Sequence, residues 1–238
     1  MKLDILVIAA HPDDAELCCG GTILAHVQQG YKVGIIDLTR GELGTRGTPD
    51  LREREAAEAA RLMGIQVREN LCFADGFFRN DEAHQRALAR AIREYQPDIV
   101  LTNAVHDRHP DHGRGAELVS DACFVSGLRR VETESRGRKQ APWRPTAVYH
   151  FIQDRHIVPD FVMDVTPFWD RKMECLRAYA SQFHDPSSNE PITHISTADF
   201  FPFIEARARE FGHAIGVTYG EGFTKERYLG VSNLFHLI

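Results

Sequence analysis

Long hydrophobic runs are missing from this chain. Its first apolar stretch, Leu3 to Ala10, stops at His11, too short to cross a bilayer, and Met1-Lys2-Leu3-Asp4 lacks the charge pattern of a secretion signal. A cytoplasmic protein without a membrane partner is therefore expected. An excess of positive charge is missing too. The 28 Lys and Arg against 34 Asp and Glu leave a formal net charge of -6, which offers no electrostatic footprint for nucleic acid. Small molecules are the expected partners. The 5 cysteines are an odd number, and only Cys18 and Cys19 are close together. Adjacent cysteines rarely form an unstrained disulfide, and no second CxxC-like half exists to complete a thiolate zinc site. They read as small packing residues at a helix start. A GxGxxG turn is also absent, and Asp13 and Asp14 stand where a pyrophosphate would need neutral amides, which argues against a dinucleotide. Repeats and low-complexity tracts are not seen.

What is present is enough apolar material, 43% of 238 residues, for one sizeable core. Strand-like runs end in polar loops and lead into helical patterns four times over. The strands are read at Leu3 to Ala10, Lys32 to Thr39, Glu69 to Phe73 and Asp98 to Thr102. The helices are read from Ile23 onward after Gly20-Gly21-Thr22, at Leu51 to Met63, at Glu82 to Tyr95 and at His112 to Ser126. This alternation predicts an α/β fold, Rossmann-like, with a mostly parallel sheet and helices on both faces. Glu132 to Lys139 reads as a charged surface loop. Beyond it come strands at Thr146 to Ile152 and Phe161 to Val165, a helix from Pro167 to Gln182 capped by Thr166, a candidate covering loop at Phe183 to His194, a helix near Thr197 to Ile215 and a short strand near Tyr219. The whole is expected to be a single domain, 1–238, with a core over 1–130 and a small C-terminal α/β extension over 140–238 packed on it.

Two motifs carry the chemistry: His11-Pro12-Asp13-Asp14 after the first strand and His109-Pro110-Asp111-His112 after the fourth. In a sheet of order 3-2-1-4-5, strands 1 and 4 are neighbours, and the crevice beyond their carboxyl ends is the ligand site. The topology thus brings the two motifs together. His11 and His112 are natural nitrogen ligands and Asp14 a natural oxygen ligand for a zinc ion that keeps one position for water. Asp13, next in sequence but pointing elsewhere, is placed to accept a proton from that water and pass it to a leaving group. His109, protonated and held by Asp111, is placed to stabilise an oxyanion. A lone acid such as Asp37, near the end of the second strand, reads as solvated. His106 and His184 are candidates to line the site. His26, His84, His150, His156, His194, His213 and His236 read as surface or satisfied core groups.

With Glu16, Gly20-Gly21-Thr22 and Gly113 added to these motifs, the chain resembles the LmbE-like, or PIG-L, family of zinc-dependent N-deacetylases over almost its whole length. Asp37 to Gly47, Asp75 to Phe78, Ser120 to Phe124, Trp143 to Pro145 and Tyr179 to Phe183 look like the subfamily of bacillithiol biosynthesis. That subfamily removes acetate from N-acetyl-α-D-glucosaminyl L-malate. Cys18, His106 and His184 depart from its pattern. The resemblance implies one Zn²⁺ per chain on His11, Asp14 and His112, Asp13 as general base, and His109 paired with Asp111 at the tetrahedral intermediate. It also implies sugar contacts from Arg52 and Asp75 and a homo-oligomer. Arg52 has the competing option of pairing with Glu55 along its helix. A malate aglycone needs cationic partners, for which Arg46 and Arg108 lie in the bordering loops. Relatives that act on mycothiol precursors, chitin oligomers or antibiotic sugars, and a non-catalytic metal-binding module, are the alternatives.

Overall fold

The computed structural model describes residues 1–236. Strands β1 (Ile5–Ala9), β2 (Val33–Thr39), β3 (Val67–Phe73) and β4 (Ile99–Thr102) alternate with helices α1 (Asp14–Gln28), α2 (Pro49–Met63), α3 (Glu82–Tyr95) and α4 (Pro110–Ser126). After them come a hairpin of β5 (Glu134–Ser135) and β6 (Arg138–Lys139), strands β7 (Ala147–Phe151) and β8 (Phe161–Asp164), helices α5 (Trp169–Arg177) and α6 (Phe200–Ala214), and β9 (Gly220–Lys225). One seven-stranded sheet has the order β3-β2-β1-β4-β7-β9-β8. Pairing from β3 through β7 is parallel, and β9 runs antiparallel to both β7 and β8. The fold is therefore α/β with a mostly parallel sheet, and β7, β9 and β8 continue the sheet begun by the first four strands.

Both faces of the sheet are covered, which explains why β1 and β2 are buried at every position. Alternate side chains sort to the two sides. Ile5, Val7, Val33 and Ile35 meet α1, α2, α5 and α6, whereas Leu6, Ile8, Ile36 and Leu38 meet α3 and α4. Helix starts follow local chemistry. Thr48 accepts a hydrogen bond from the Leu51 amide ahead of Pro49, and Asp81 caps α3 through the His84 amide. None of the helices described is long and apolar enough to cross a membrane.

Several elements differ from the sequence reading. Helix α1 begins at Asp14, before Gly20-Gly21-Thr22, and bends at Cys19 (φ -139°, ψ 19°). Beyond the bend the helix is capped from the far end of the chain. Glu221 on β9 accepts from the Gly21 amide at 2.9 Å, and from the Thr22 amide and hydroxyl at 2.7 Å each. Gly21 is required by close approach, since a Cβ there would lie 2.6 Å from that of Val165. Thr166 sits in a 3₁₀ turn and accepts from the Tyr219 amide without capping α5, which ends at Arg177. The segment read as a loop at Glu132 to Lys139 contains the β5–β6 hairpin, turned by Arg136 and Gly137 at φ 50° and 72°.

The Glu221 carboxylate also accepts from the fully buried Lys172 ammonium at 2.7 Å. Removing one partner of a buried pair strands the other charge, so Glu221→Ala is expected to destabilise the protein by about 3–5 kcal/mol. Denaturant midpoints test this. A midpoint equal to the wild type's would mean that the carboxylate does not hold the bend.

Candidate active site

The parallel register sets Ile8 of β1 against Thr102 of β4, so both chains leave the sheet side by side at the point where the strand order reverses. His11 and Asp14 arrive from β1, and His109 and His112 from the start of α4. The His11 ring lies 4.7 Å from His109 and 5.6 Å from His112, centroid to centroid. Asp14 joins the two motifs. Its Oδ2 is 3.5 Å from His11 Nδ1, and its Oδ1 is 3.2 Å from His112 Nε2.

Three residues that carry no motif hold this carboxylate and its neighbour. Asn103 directly after β4 donates to Asp14 Oδ2 at 3.0 Å and accepts from the Ala10 amide at 2.8 Å, tying the two strand ends together. Gln153 just beyond β7 donates to Asp14 Oδ1 at 3.1 Å and accepts from Asn103 at 2.9 Å. Asp107 lies 2.6 Å from His112 Nδ1, which fixes the ring and leaves Nε2 facing the site. The sequence reading overlooked all three. Their positions just past strand ends were the available signal.

Asp13 sits at φ 112°, a left-handed conformation that costs a non-glycine residue free energy. Its side chain makes no helix cap and instead accepts from Arg52 Nη2 at 3.0 Å. Burial, aided by the Asp14 and Glu16 charges, pushes its carboxyl up to about 7 despite Arg52. Arg52 is thus committed to Asp13 and to the Pro12 and Gly41 carbonyls, and Glu55 bonds Ser181, so the Arg52–Glu55 pairing does not form. Asp75 lies 3.0 Å from His11 Nε2 and accepts from the Leu43 amide. Burial would raise Asp75, but His11 and that amide hold it down at about 2.

The link from Asp111 to His109 differs from expectation. The Asp111 carboxylate accepts from the Gly76 amide and from Arg114, and lies 3.4 Å from His11. What reaches His109 is the Asp111 backbone amide, which donates to Nδ1 at 3.2 Å because His109 caps α4. An accepting Nδ1 carries no proton. Burial and the neighbouring His11 and His112 hold His109 below the ordinary imidazole value, so near neutrality it is a neutral ring able to donate from Nε2. Asp37, read as solvated, is buried against Arg68, which also pairs with Glu16.

A cavity of about 510 Å³ opens over these groups. Arg108 lies at its wall with Nε 3.3 Å from Asp154. Arg46 is pinned to Ser181 and Ser188. Of the two candidate lining histidines, His106 pairs with Arg155 and His184 faces the Ser196 carbonyl, and neither lines the cavity. His194, read as bland, does.

The donor set fits a divalent cation. Two buried imidazoles flank a carboxylate whose outer contacts are already made, and further carboxylates stand behind them. Burial pulls His112 down, but Asp14 and Asp107 push it up to about 9, and His11 is raised as well by Asp111, Asp14 and Asp75. Asp14 is held well below the usual carboxylate range by both imidazoles in spite of its burial. The site therefore collects positive charge. The donor atoms that lie within 4.8 Å of one another are those of His11, His109 and His112 and those of His11, Asp75 and Asp111, while Asp14 bridges His11 and His112 at 3.5 and 3.2 Å.

His112 makes metal binding depend on pH. Its folded value of about 9 lies above the ordinary 6.5, so in the metal-free protein its stabilising contribution is full below about 6.5 and is lost as pH rises through about 9. Metal must displace that proton. Zinc affinity is expected to rise about tenfold per pH unit or more between pH 6.5 and 8.5. Chelator competition measures this, and a pH-independent affinity would exclude a protonated His112 in the metal-free site.

A model of the PIG-L family, described as GlcNAc-PI de-N-acetylase, matches residues 6–123, the span that carries both motifs. Over 199 residues the chain is 30% identical to a Bacillus subtilis strain 168 protein named probable N-acetyl-alpha-D-glucosaminyl L-malate deacetylase 2, covering 76% of this chain and 84% of that one. It is 28% identical over 194 residues to a 4-oxalmesaconate hydratase of Pseudomonas putida, covering 75% and 74% of the two chains. The crystal structure of a conserved protein from Thermus thermophilus matches with a TM-score of 0.86 at 35% identity, over 97% of this chain and 98% of that one. Two His/Asp motifs joined at the switch point of one sheet, together with these likenesses, lead to one conclusion: the chain belongs to the PIG-L, or GlcNAc-PI de-N-acetylase, family.

Proposed function

We propose that this chain is a zinc-dependent N-deacetylase acting on an N-acetylglucosaminyl glycoside, with N-acetyl-α-D-glucosaminyl L-malate of bacillithiol biosynthesis as its substrate. His11, Asp14 and His112 are the residues that would hold the ion. The observation that carries this reading is Asp13, a buried carboxyl lifted to about 7 beside that donor set in one cavity. Zinc in such a set supplies Lewis acidity toward water and the amide carbonyl.

The chain's own residues do the rest. Asp13 takes a proton from the attacking water as the new C–O bond forms, then returns it to the nitrogen as the C–N bond breaks, so acetate and a free amine leave. Arg52 holds the Asp13 carboxylate in place. His109 donates from Nε2 to the carbonyl oxygen as negative charge develops there. It does so as a neutral ring aligned by the Asp111 backbone, and the Asp111 carboxylate acts by fixing Gly76, Arg114 and His11. Asp75, Arg52 and Arg108 all line the cavity, and Asp75 and Arg52 are the residues assigned to the sugar. His109→Ala is expected to lower kcat by about 10²–10³-fold with metal retained, read by steady-state kinetics and metal analysis.

The substrate is tested with a panel: N-acetylglucosaminyl malate, free N-acetylglucosamine, an inositol glycoside, chitobiose and 4-oxalmesaconate. The malate glycoside is expected to give the highest kcat/KM with one acetate per turnover. Hydration of the oxalmesaconate without acetate release from any sugar would replace the deacetylase reading with the hydratase one.

A further inference from the structure

The cavity wall carries four guanidinium groups, and three of them face a carboxylate. Arg52 meets Asp13 at 3.0 Å, Arg108 meets Asp154 at 3.3 Å and Arg46 meets Glu190 at 3.5 Å. Arg207 on α6 is different. Among the described residues it forms no ion pair, and its Nη1 is shielded from solvent without an acceptor. A shielded guanidinium donor left unmatched costs free energy, which an incoming acceptor recovers.

The surroundings of Arg207 strengthen this. Its guanidinium carbon lies 5.5 Å from the centre of the Phe203 ring, and Leu17, Cys18, Phe200 and Ile204 share the same cavity wall. An apolar lining keeps the local dielectric low and makes a charge-assisted contact stronger than at an exposed residue. Arg108, by contrast, is nearly half exposed and already paired. Thr193, in the loop that leads into α6, lines the cavity too, and its Oγ1 is likewise shielded and without a partner. Arg52 Nε is shielded and unmatched as well, but that guanidinium is already neutralised by Asp13. Arg207, among the described residues, is an unpaired cation with Thr193 as a second unmatched donor on the same cavity, the lining a receptor for an anion needs.

We infer that Arg207, assisted by Thr193, receives a carboxylate of the aglycone and is the main specificity-determining residue for an anionic glycoside. The inference rests on the proposed deacetylase reading. It assigns to α6 the recognition that the sequence pointed to in the loops of Arg46 and Arg108. A neutral aglycone leaves both donors unmatched and is discriminated against on that account.

The test compares zinc-loaded wild type, Arg207→Met, Arg207→Lys and Thr193→Val on N-acetylglucosaminyl malate and on methyl N-acetyl-α-glucosaminide. The quantity read is the ratio of kcat/KM for the anionic over the neutral glycoside. Loss of a charge-assisted contact is expected to lower that ratio by about 10–100-fold in Arg207→Met and on the order of tenfold in Thr193→Val. Arg207→Lys, which keeps the charge but not the fork, should fall in between. Should Arg207→Met fail to fold, Thr193→Val and Arg207→Lys give the same reading. An unchanged ratio in these variants, with acetate still released, overturns the role of Arg207 and leaves the deacetylase standing. Equal kcat/KM on the two glycosides in the wild type also overturns it. If neither glycoside releases acetate, the deacetylase reading fails. Calorimetric binding of the malate glycoside then decides separately: binding weakened in Arg207→Met supports the receptor, and binding unchanged or absent overturns it.

Discussion

Asp13→Asn is expected to lower kcat for deacetylation by about 10²–10⁴-fold while the fold and the bound metal remain. The substitution suits the site sterically. Asn tolerates the positive φ found at position 13, and its side-chain oxygen can still accept from Arg52. What is lost is the capacity to take and return a proton. Since the base must be ionised and burial sets Asp13 at about 7, wild-type kcat/KM should climb with pH along an acid limb at or below that value. A cation in the neighbouring donor set moves the limb lower, because positive charge favours the carboxylate. The residual activity of Asp13→Asn should lack this limb. A variant that keeps the limb and most of its rate would remove Asp13 from the role of base, and one that loses its metal would exchange Asp13 with Asp14.

The second large effect is loss of the ion itself. His112→Ala removes one of three protein ligands, and both metal content and activity should fall to background. Asp107→Asn disturbs only the orientation of that ring and is expected to weaken metal affinity by about 10–100-fold. The competing donor groups are separable by the same analysis. If His11, Asp14 and His112 hold the ion, Asp14→Asn loses it and His109→Ala keeps it. The reverse pattern would assign the third ligand to His109, whose nitrogen also lies within reach.

Much of this site is legible in the sequence because its reactive groups fall in two short runs just past strands. The rule that ligands gather where strand order reverses then joins positions about a hundred residues apart. The groups that orient the ligands are harder to see. Asn103 and Gln153 are single neutral amides, and nothing in their own neighbourhoods says that β1, β4 and β7 end side by side. His109 shows the opposite error. Its proximity in sequence to Asp111 suggested a carboxylate–imidazole pair, but helix geometry presents the backbone amide at that point and sends the carboxylate to Gly76 and Arg114.

The fold divides in the same way. Helix α3 is bounded as read because Asp81 caps it locally, whereas the continuation of α1 past its bend at Cys19 depends on Glu221, 200 residues from Gly21. Two cysteines and two glycines look like a helix boundary until that distant carboxylate is counted. Helix α5 ends before Gln182, and residues in its expected last turn serve other elements: the Tyr179 hydroxyl donates to Glu16 and the Gln182 side-chain Nε2 to the Arg46 carbonyl.

The most direct test of the account is acetate release from N-acetylglucosaminyl malate by a single preparation, measured as purified, after removal of metal by chelator, and after zinc is restored. Equimolar acetate and free amine are expected, abolished by the chelator and recovered with about one zinc per chain. Acetate release indifferent to the chelator, or none from any N-acetylglucosaminyl glycoside by the zinc-loaded protein, would contradict it.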